Sequence, residues 1–273
     1  MSWGSNPLSQ HKESPTMTTF IITLTAFLAS ILTLYSGFGL GTILMPVVAV
    51  FFPITVAVAL TALVHLLNNL FKLAALWREI NWRVTWRFGL PAIIATVPGA
   101  LLLTALSDLP KLYTYTLAGA EAAITPVKLA VGLLLVIFAT MEWLPVIKKI
   151  KLTEKSLPYG GVLSGFFGGL SGHQGAFRSA FLIQAGLGKK AFVGTNAAIA
   201  ALVDITRLAV YGMNISLIIG QVDTRLIAAA TAAAFAGVLA GKLGMEKITI
   251  GFIQKLVAIM LYILGGLLIA GII

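Results

Sequence analysis

The stretch Gly165-Phe166-Phe167-Gly168-Gly169-Leu170-Ser171-Gly172-His173-Gln174-Gly175 lies inside an apolar run that extends from about 158 to 186. A continuous membrane helix has no use for so many glycines, and a run this polar at its centre does not suit lipid. A glycine-rich break leaves backbone groups unpaired. At membrane depth that is tolerated only where the break is buried in protein or lines a cavity. A second break of the same kind, Ser36-Gly37-Phe38-Gly39-Leu40-Gly41, interrupts the first apolar run, 17–52, which is too long for a single crossing. Six further runs, at 54–77, 86–107, 124–147, 190–212, 224–242 and 249–272, each have the length of one span.

The composition agrees. Of 273 residues, 59% are hydrophobic and only 10% charged, against about 25% charged in a soluble domain. That excludes a water-soluble enzyme, and the long spans exclude an outer-membrane barrel, whose strands alternate. The formal net charge of +10 sits largely in short loops, where it orients spans and does not point to nucleic acid. With no cysteine and three scattered histidines (His11, His65, His173), neither a disulfide, a metal site nor a cofactor is expected. No phosphate-binding Gly-Lys-Ser/Thr loop is present, which excludes ATP-driven transport by this chain alone.

Loop charges set a topology. Arg78, Arg83 and Arg87 flank one loop, and Lys148, Lys149, Lys151 and Lys155 fill another. Both are expected on the cytoplasmic side. If the two broken segments enter and leave on one face, Lys189, Lys190, Lys242 and Lys247 join that side, with Lys12, Lys111 and Arg225 opposite. The two halves then have inverted topology. The expected fold is all-α: a polytopic helical membrane protein with two inverted structural repeats, each a glycine-broken re-entrant hairpin plus three transmembrane helices. Its parts are a polar tail (1–16), a first repeat (17–147), a basic cytoplasmic linker (148–157) and a second repeat (158–273). A shift of 135 residues places Ser36-Gly37 on Ser171-Gly172, Asn69 on Asp204 and Lys72 on Arg207.

The breaks carry the expected chemistry. A helix that restarts presents N–H groups without intrahelical partners and the positive end of its dipole, so it favours an anion. Two such ends, near Gly37, Gly39, Gly41 and Thr42 and near Gly172, His173, Gln174 and Gly175, can face each other at the midplane. Arg178, in the second restarted helix, coordinates the anion or caps carbonyls inside the bundle. His173 contacts substrate or is a satisfied structural imidazole. Lys72 and Arg207, five residues before their span ends, snorkel to the headgroups or act as a pair of gates, with Asp204 paired to Arg207. His65, Asn68, Asn69 and Asn196 share the two spans with these cations and read as interhelical hydrogen bonds or ligands. Trp77, Trp82, Trp86 and Trp143 read as interfacial anchors. Gly237 and Gly241 form a small-residue face for packing within the chain or for a homodimer contact.

These elements resemble the sulfite exporter TauE/SafE family, also called TSUP transporters. The resemblance is carried by Ser36-Gly-Phe-Gly-Leu-Gly-Thr-Ile-Leu-Met-Pro46, by Gly165-Phe-Phe-Gly-Gly-Leu-Ser-Gly-His-Gln-Gly175 and by Val193-Gly-Thr-Asn-Ala197. It extends from about residue 20 to 270. It implies a permease of a bacterial inner membrane for small sulfur-containing anions such as sulfite, sulfoacetate and other organosulfonates, and it favours Asn196 as a ligand. His173-Gln174 departs from the commoner small residues there, which bears on the cargo. The expected function is a secondary transporter, an exporter, working by alternating access and having no enzymatic activity. An anion channel and a small-carboxylate permease are the alternatives.

Overall fold

The structure, a computed structural model, describes residues 15–34, 39–117, 119–143, 154–212, 222–244 and 250–273. Gly37 of the first break and most of the basic linker lie outside the described residues. Among the described residues, ten α-helices follow one another: α1 (Pro15–Thr33), α2 (Gly41–Phe51), α3 (Ile54–Leu76), α4 (Trp82–Ser107), α5 (Pro126–Trp143), α6 (Leu157–Ser171), α7 (Gly175–Ile183), α8 (Lys189–Tyr211), α9 (Thr224–Gly244) and α10 (Ile250–Ile269). Five stretches among the described residues are long and apolar enough to cross a membrane: Thr16–Thr33, Ile54–Glu79, Trp82–Ser107, Lys189–Tyr211 and Thr224–Leu243. The chain is therefore a polytopic helical protein. Trp77, Trp82, Trp86 and Trp143 are all more than half exposed.

The second break is shorter than the glycine run that announces it. Helix α6 continues through Gly168-Gly169 to Ser171, and only Gly172, His173 and Gln174 are non-helical. Gly172 ends α6 in the left-handed region (φ 78°), where a side chain would be strained. The upstream glycines serve packing instead. A Cβ on Gly161, Gly165 or Gly169 would lie 2.2, 2.1 or 2.3 Å from the carbonyl oxygens of Phe88, Ala92 and Thr96 of α4. Steps of four on both helices mean that α4 and α6 run parallel with backbones in contact, the small-xxx-small arrangement that membrane helices use where lipid supplies no hydrophobic drive. Gly237 and Gly241 do the same for α9 against α1 at Phe27, Ser30, Ile31 and Leu34. That face is thus used within the chain and is not left for a partner copy.

The helices pair as α4 on α6, α1 on α9, α5 on α10 and α3 on α8, with α4 also meeting α8 and α3 meeting α9. Asn81 caps α4 by accepting from the Val84 N–H (3.1 Å) and donates its own N–H to Thr195 Oγ1 of α8 (2.9 Å). Arg87, with Arg83 behind it, pairs with Glu154 just before α6.

One element has no counterpart in the sequence expectation. Strands β1 (Tyr113–Leu117) and β2 (Ala120–Ile124) form an antiparallel hairpin between α4 and α5, with Leu117 opposite Ala120 and Tyr113 opposite Ile124. Tyr115 donates its hydroxyl to the Ala270 carbonyl (2.6 Å), and Lys128 Nζ donates to the carbonyls of Ala123 (3.0 Å) and Gly271 (3.3 Å). Lys128 is thereby a clamp between the hairpin and the end of α10. Glu121 pairs with Lys111 at 3.2 Å on the exposed side of the hairpin.

Candidate functional site

The two breaks meet the centre of the α3–α8 pair. Gly39, also left-handed (φ 82°), ends the first break, and α2 restarts at Gly41 without a side-chain cap. A Cβ on Gly39 would lie 2.8 Å from His65 Nε2 and 3.6 Å from Arg178 Nη2. A Cβ on Gly41 would lie 3.7 Å from the Gly172 carbonyl oxygen, and one on Gly172 would lie 2.9 Å from Arg207 Nη1. Gly39 and Gly41 on one side and Gly172 on the other are therefore in each other's reach, with His65, Arg178 and Arg207 beside them. Helix α7 restarts at Gly175, again with no side-chain cap.

Asp204, on α8, is the hub. Its Oδ2 lies 2.7 Å from His65 Nδ1, and its Oδ1 accepts from Gln174 Nε2 (3.0 Å) and Arg207 Nε (3.0 Å), with Arg207 Nη2 at 2.8 Å. A carboxylate can only accept, so the His65 proton facing it sits on Nδ1. Nε2 is then free to accept from Asn69 Nδ2 at 3.2 Å. Arg178 donates Nε to Asn196 Oδ1 (2.6 Å) and Nη1 to Gln174 Oε1 (2.7 Å). Gln174 thus ties Arg178 to Asp204, and its own carbonyl accepts from Ser164 Oγ (2.9 Å). Arg207 also reaches the Gly168 carbonyl at 3.5 Å, and Tyr211 donates to the Gly169 carbonyl. The end of α6 is held from α8 in this way.

Charge does not balance here. Among the described residues, the buried ionised side chains are three cations (Lys72, Arg178, Arg207) and one carboxylate (Asp204). Arg178 and Arg207 are both 0% exposed and Lys72 is 5% exposed. Both Lys72 and Arg207 are enclosed by the rest of the bundle. Arg207 is matched by Asp204; Arg178 has only neutral partners. Its Nη2 makes no hydrogen bond at all, and this donor lies beside Gly39.

His173 sits apart from that hub. Its Nδ1 contacts the Ser171 carbonyl (2.9 Å), and its ring stacks on Phe138 of α5 with centroids 5.9 Å apart. Phe138 in turn meets Phe167 and Phe177 edge-on, at 5.4 and 5.7 Å. An aromatic wall from α5, α6 and α7 so closes one side of the break. Thr42 is buried in the first turn of α2.

The structure therefore brings together Gly39, Gly41, Gly172, Gln174, Arg178, Asn196, His65, Asn69, Asp204 and Arg207. His173 turns to the aromatic wall. Sequence reasoning paired Asp204 with Arg207 but missed that the same carboxylate holds His65, 139 residues away, and Gln174. It also missed Ser164 and Tyr211. The only sequence signal for Tyr211 was a hydroxyl one turn beyond a buried arginine.

Lys72 and Arg207 buried within membrane-length helices, with Arg178 buried just past the second break, define the class: a polytopic membrane protein with a polar cluster in its interior. The chain belongs to the sulfite exporter TauE/SafE family, a family of membrane transporters, whose pattern matches residues 22–268 of the 273. No curated protein matches the chain.

Proposed function

We propose that this protein is a secondary transporter that exports a small sulfur-containing oxyanion, such as sulfite or an organosulfonate, held between the two hairpin tips. The observation that carries the reading is the buried cationic excess. Three cations against one carboxylate is costly in a low-dielectric interior, since buried charges need partners. An anion beside Gly39 supplies the missing one and takes the free Arg178 Nη2 donor. Arg178 is held from two sides by Asn196 and Gln174, so it is oriented before the anion arrives, and less ordering is lost on binding.

Alternating access follows from an inverted repeat, which several features support. Helix α8 begins and ends 135 residues after α3, the shift that places Asn69 and Lys72 on Asp204 and Arg207. Exchanging the halves carries the α1–α9 pairing onto α6–α4 and the α3–α9 pairing onto α8–α4, while α3–α8 and α5–α10 map onto themselves. In this arrangement α1–α2 and α6–α7 are re-entrant hairpins from opposite faces, and rocking of one half on the other exposes the site alternately. His173 and Asn196 then line the anion path, and the protein sits in a bacterial inner membrane.

The test is counterflow in proteoliposomes. Labelled sulfite should accumulate transiently against unlabelled sulfite and saturate with concentration. Arg178→Gln should lower this flux at least about tenfold, the equivalent of about 1.4 kcal/mol. Flux that neither saturates nor shows counterflow would instead indicate a channel, and flux unchanged in Arg178→Gln would remove the anion from this site.

A further inference from the structure

One neutral amide stands between Arg178 and the Asp204 carboxylate. Gln174 is buried, and its side chain is held at both ends: Oε1 accepts from Arg178 Nη1 at 2.7 Å, and Nε2 donates to Asp204 Oδ1 at 3.0 Å. That orientation is the only one the neighbours allow. Turned over, the amide would set its NH2 group against a guanidinium that only donates and its oxygen against a carboxylate that only accepts. The backbone is fixed as well, because the Gln174 carbonyl accepts from Ser164 Oγ at 2.9 Å and from the Arg178 N–H at 3.2 Å. A Cβ on Gly168 would lie 2.9 Å from the Gln174 Cβ, so the side chain is seated in the space that this glycine leaves on α6.

Both acceptors on Arg178 are neutral: Gln174 Oε1 on Nη1, and Asn196 Oδ1 on Nε at 2.6 Å. Among the described residues no carboxylate pairs with Arg178, because Asp204 makes its ion pairs with His65 and Arg207. Nη2 has no partner and lies 3.6 Å from where a Cβ on Gly39 would be. Glutamate has the shape of glutamine and makes the same contact with Nη1, but it also brings a negative charge. A buried guanidinium already matched by a protein carboxylate has little to gain from an incoming anion. Position 174 therefore decides whether the Arg178 charge is answered by the protein or by what enters the site.

We propose that Gln174 is a positioning residue of the anion site: it holds Arg178 in place and apart from Asp204, and because it is an amide it leaves the Arg178 charge to the cargo. This rests on the anion-transporter reading and deepens it by naming the residue that keeps the cation of the site unmatched. Gln174 has no need to touch the anion, since its side-chain oxygen and nitrogen are both engaged within the protein. It acts through Arg178, whose orientation is set before the anion arrives.

The experiment is a titration of purified full-length protein in detergent with methanesulfonate, read by ligand-dependent thermal stabilisation at constant ionic strength. Gln174→Glu should weaken binding at least about tenfold. Gln174→Met, of similar length, loses both hydrogen bonds but adds no charge, and should weaken binding about two- to fivefold. If Gln174 acted only through its hydrogen bonds the order would reverse, because the introduced carboxylate keeps an acceptor for Nη1 and methionine keeps neither bond. A smaller loss in Gln174→Glu, or a Gln174→Met effect outside its range, would overturn the proposal. Unliganded melting temperatures and gel filtration check that each variant folds. Should Gln174→Glu, whose carboxylate also faces Asp204, fail that check, Gln174→Met decides by the same range. The parent reading is judged separately by Arg178→Gln, which should abolish the stabilisation. If Arg178→Gln binds as wild type, the anion is not on Arg178 and the parent site fails. If Arg178→Gln loses binding while Gln174→Glu keeps it, the positioning proposal alone fails. A wild type that methanesulfonate does not stabilise overturns both.

Discussion

Replacing Asp204 by alanine tests the hub most directly, because it removes the only buried carboxylate among the described residues. Arg207, 0% exposed, then loses contacts at 3.0 Å (Nε) and 2.8 Å (Nη2) and keeps only the distant Gly168 carbonyl at 3.5 Å. His65 Nδ1 and Gln174 Nε2 lose their acceptor as well. Breaking a buried ion pair by removing one partner costs about 3–5 kcal/mol. Each neutral donor left dry adds about 1–3 kcal/mol where water does not enter. The loss for Asp204→Ala should therefore be at least about 3 kcal/mol. Replacing both members by apolar groups leaves no orphaned charge, so Asp204→Ala/Arg207→Met should regain about 2 kcal/mol relative to the sum of the single changes. The assay is denaturant unfolding in mixed micelles, followed by tryptophan fluorescence across the double-mutant cycle. An Asp204→Ala loss below about 1 kcal/mol, or additive single effects, would refute the hub as the energetic centre of the site.

Two further substitutions test the close approaches. Gly39→Ala places a residue in the left-handed region, at about 1–2 kcal/mol, and also drives its Cβ to 2.8 Å from His65 Nε2. Gly186→Ala has the same backbone strain (φ 70°) with nothing within 4 Å, so Gly39→Ala should be the more destabilising in the same unfolding assay, and equal losses would count against the tip-to-His65 contact. Gly165→Leu should abolish a monodisperse gel-filtration peak, because even its Cβ would lie 2.1 Å from the Ala92 carbonyl oxygen, more than about 1 Å inside ordinary C···O contact. Gly266→Leu on α10, with nothing within 4 Å, should behave as wild type; a normal Gly165→Leu profile would disprove the backbone contact of α4 with α6.

The polytopic helical character, the approximate ends of the described helices and the second break were legible in the sequence because they depend on local quantities. Hydropathy over about twenty residues fixes what can lie in a bilayer, and a glycine in a helix weakens it wherever the rest of the chain goes. The helix restart at Gly175 belongs to this category. So do the exposed tryptophans near span ends, and so does Asp204 one turn from Arg207.

Only the tertiary structure decided what those features are for. Gly169 looked like part of the break and, with Gly161 and Gly165, is instead the surface on which α6 lies against α4. A Cβ-free stripe serves either purpose until its neighbour is known. Lys72 and Arg207 stood close enough to their span ends to snorkel, yet both are enclosed, because burial depends on which helices pack around a side chain and not on its place along one helix. The hairpin at 113–124 is short and weakly patterned, and its backbone pairing is completed by Gly271 from the far end of the chain. The link from Asp204 to His65 joins helices 139 positions apart, and no pattern in either helix encodes it. Solvation and backbone geometry are local properties and can be read along the chain; the balance of buried charge is a property of the assembled interior.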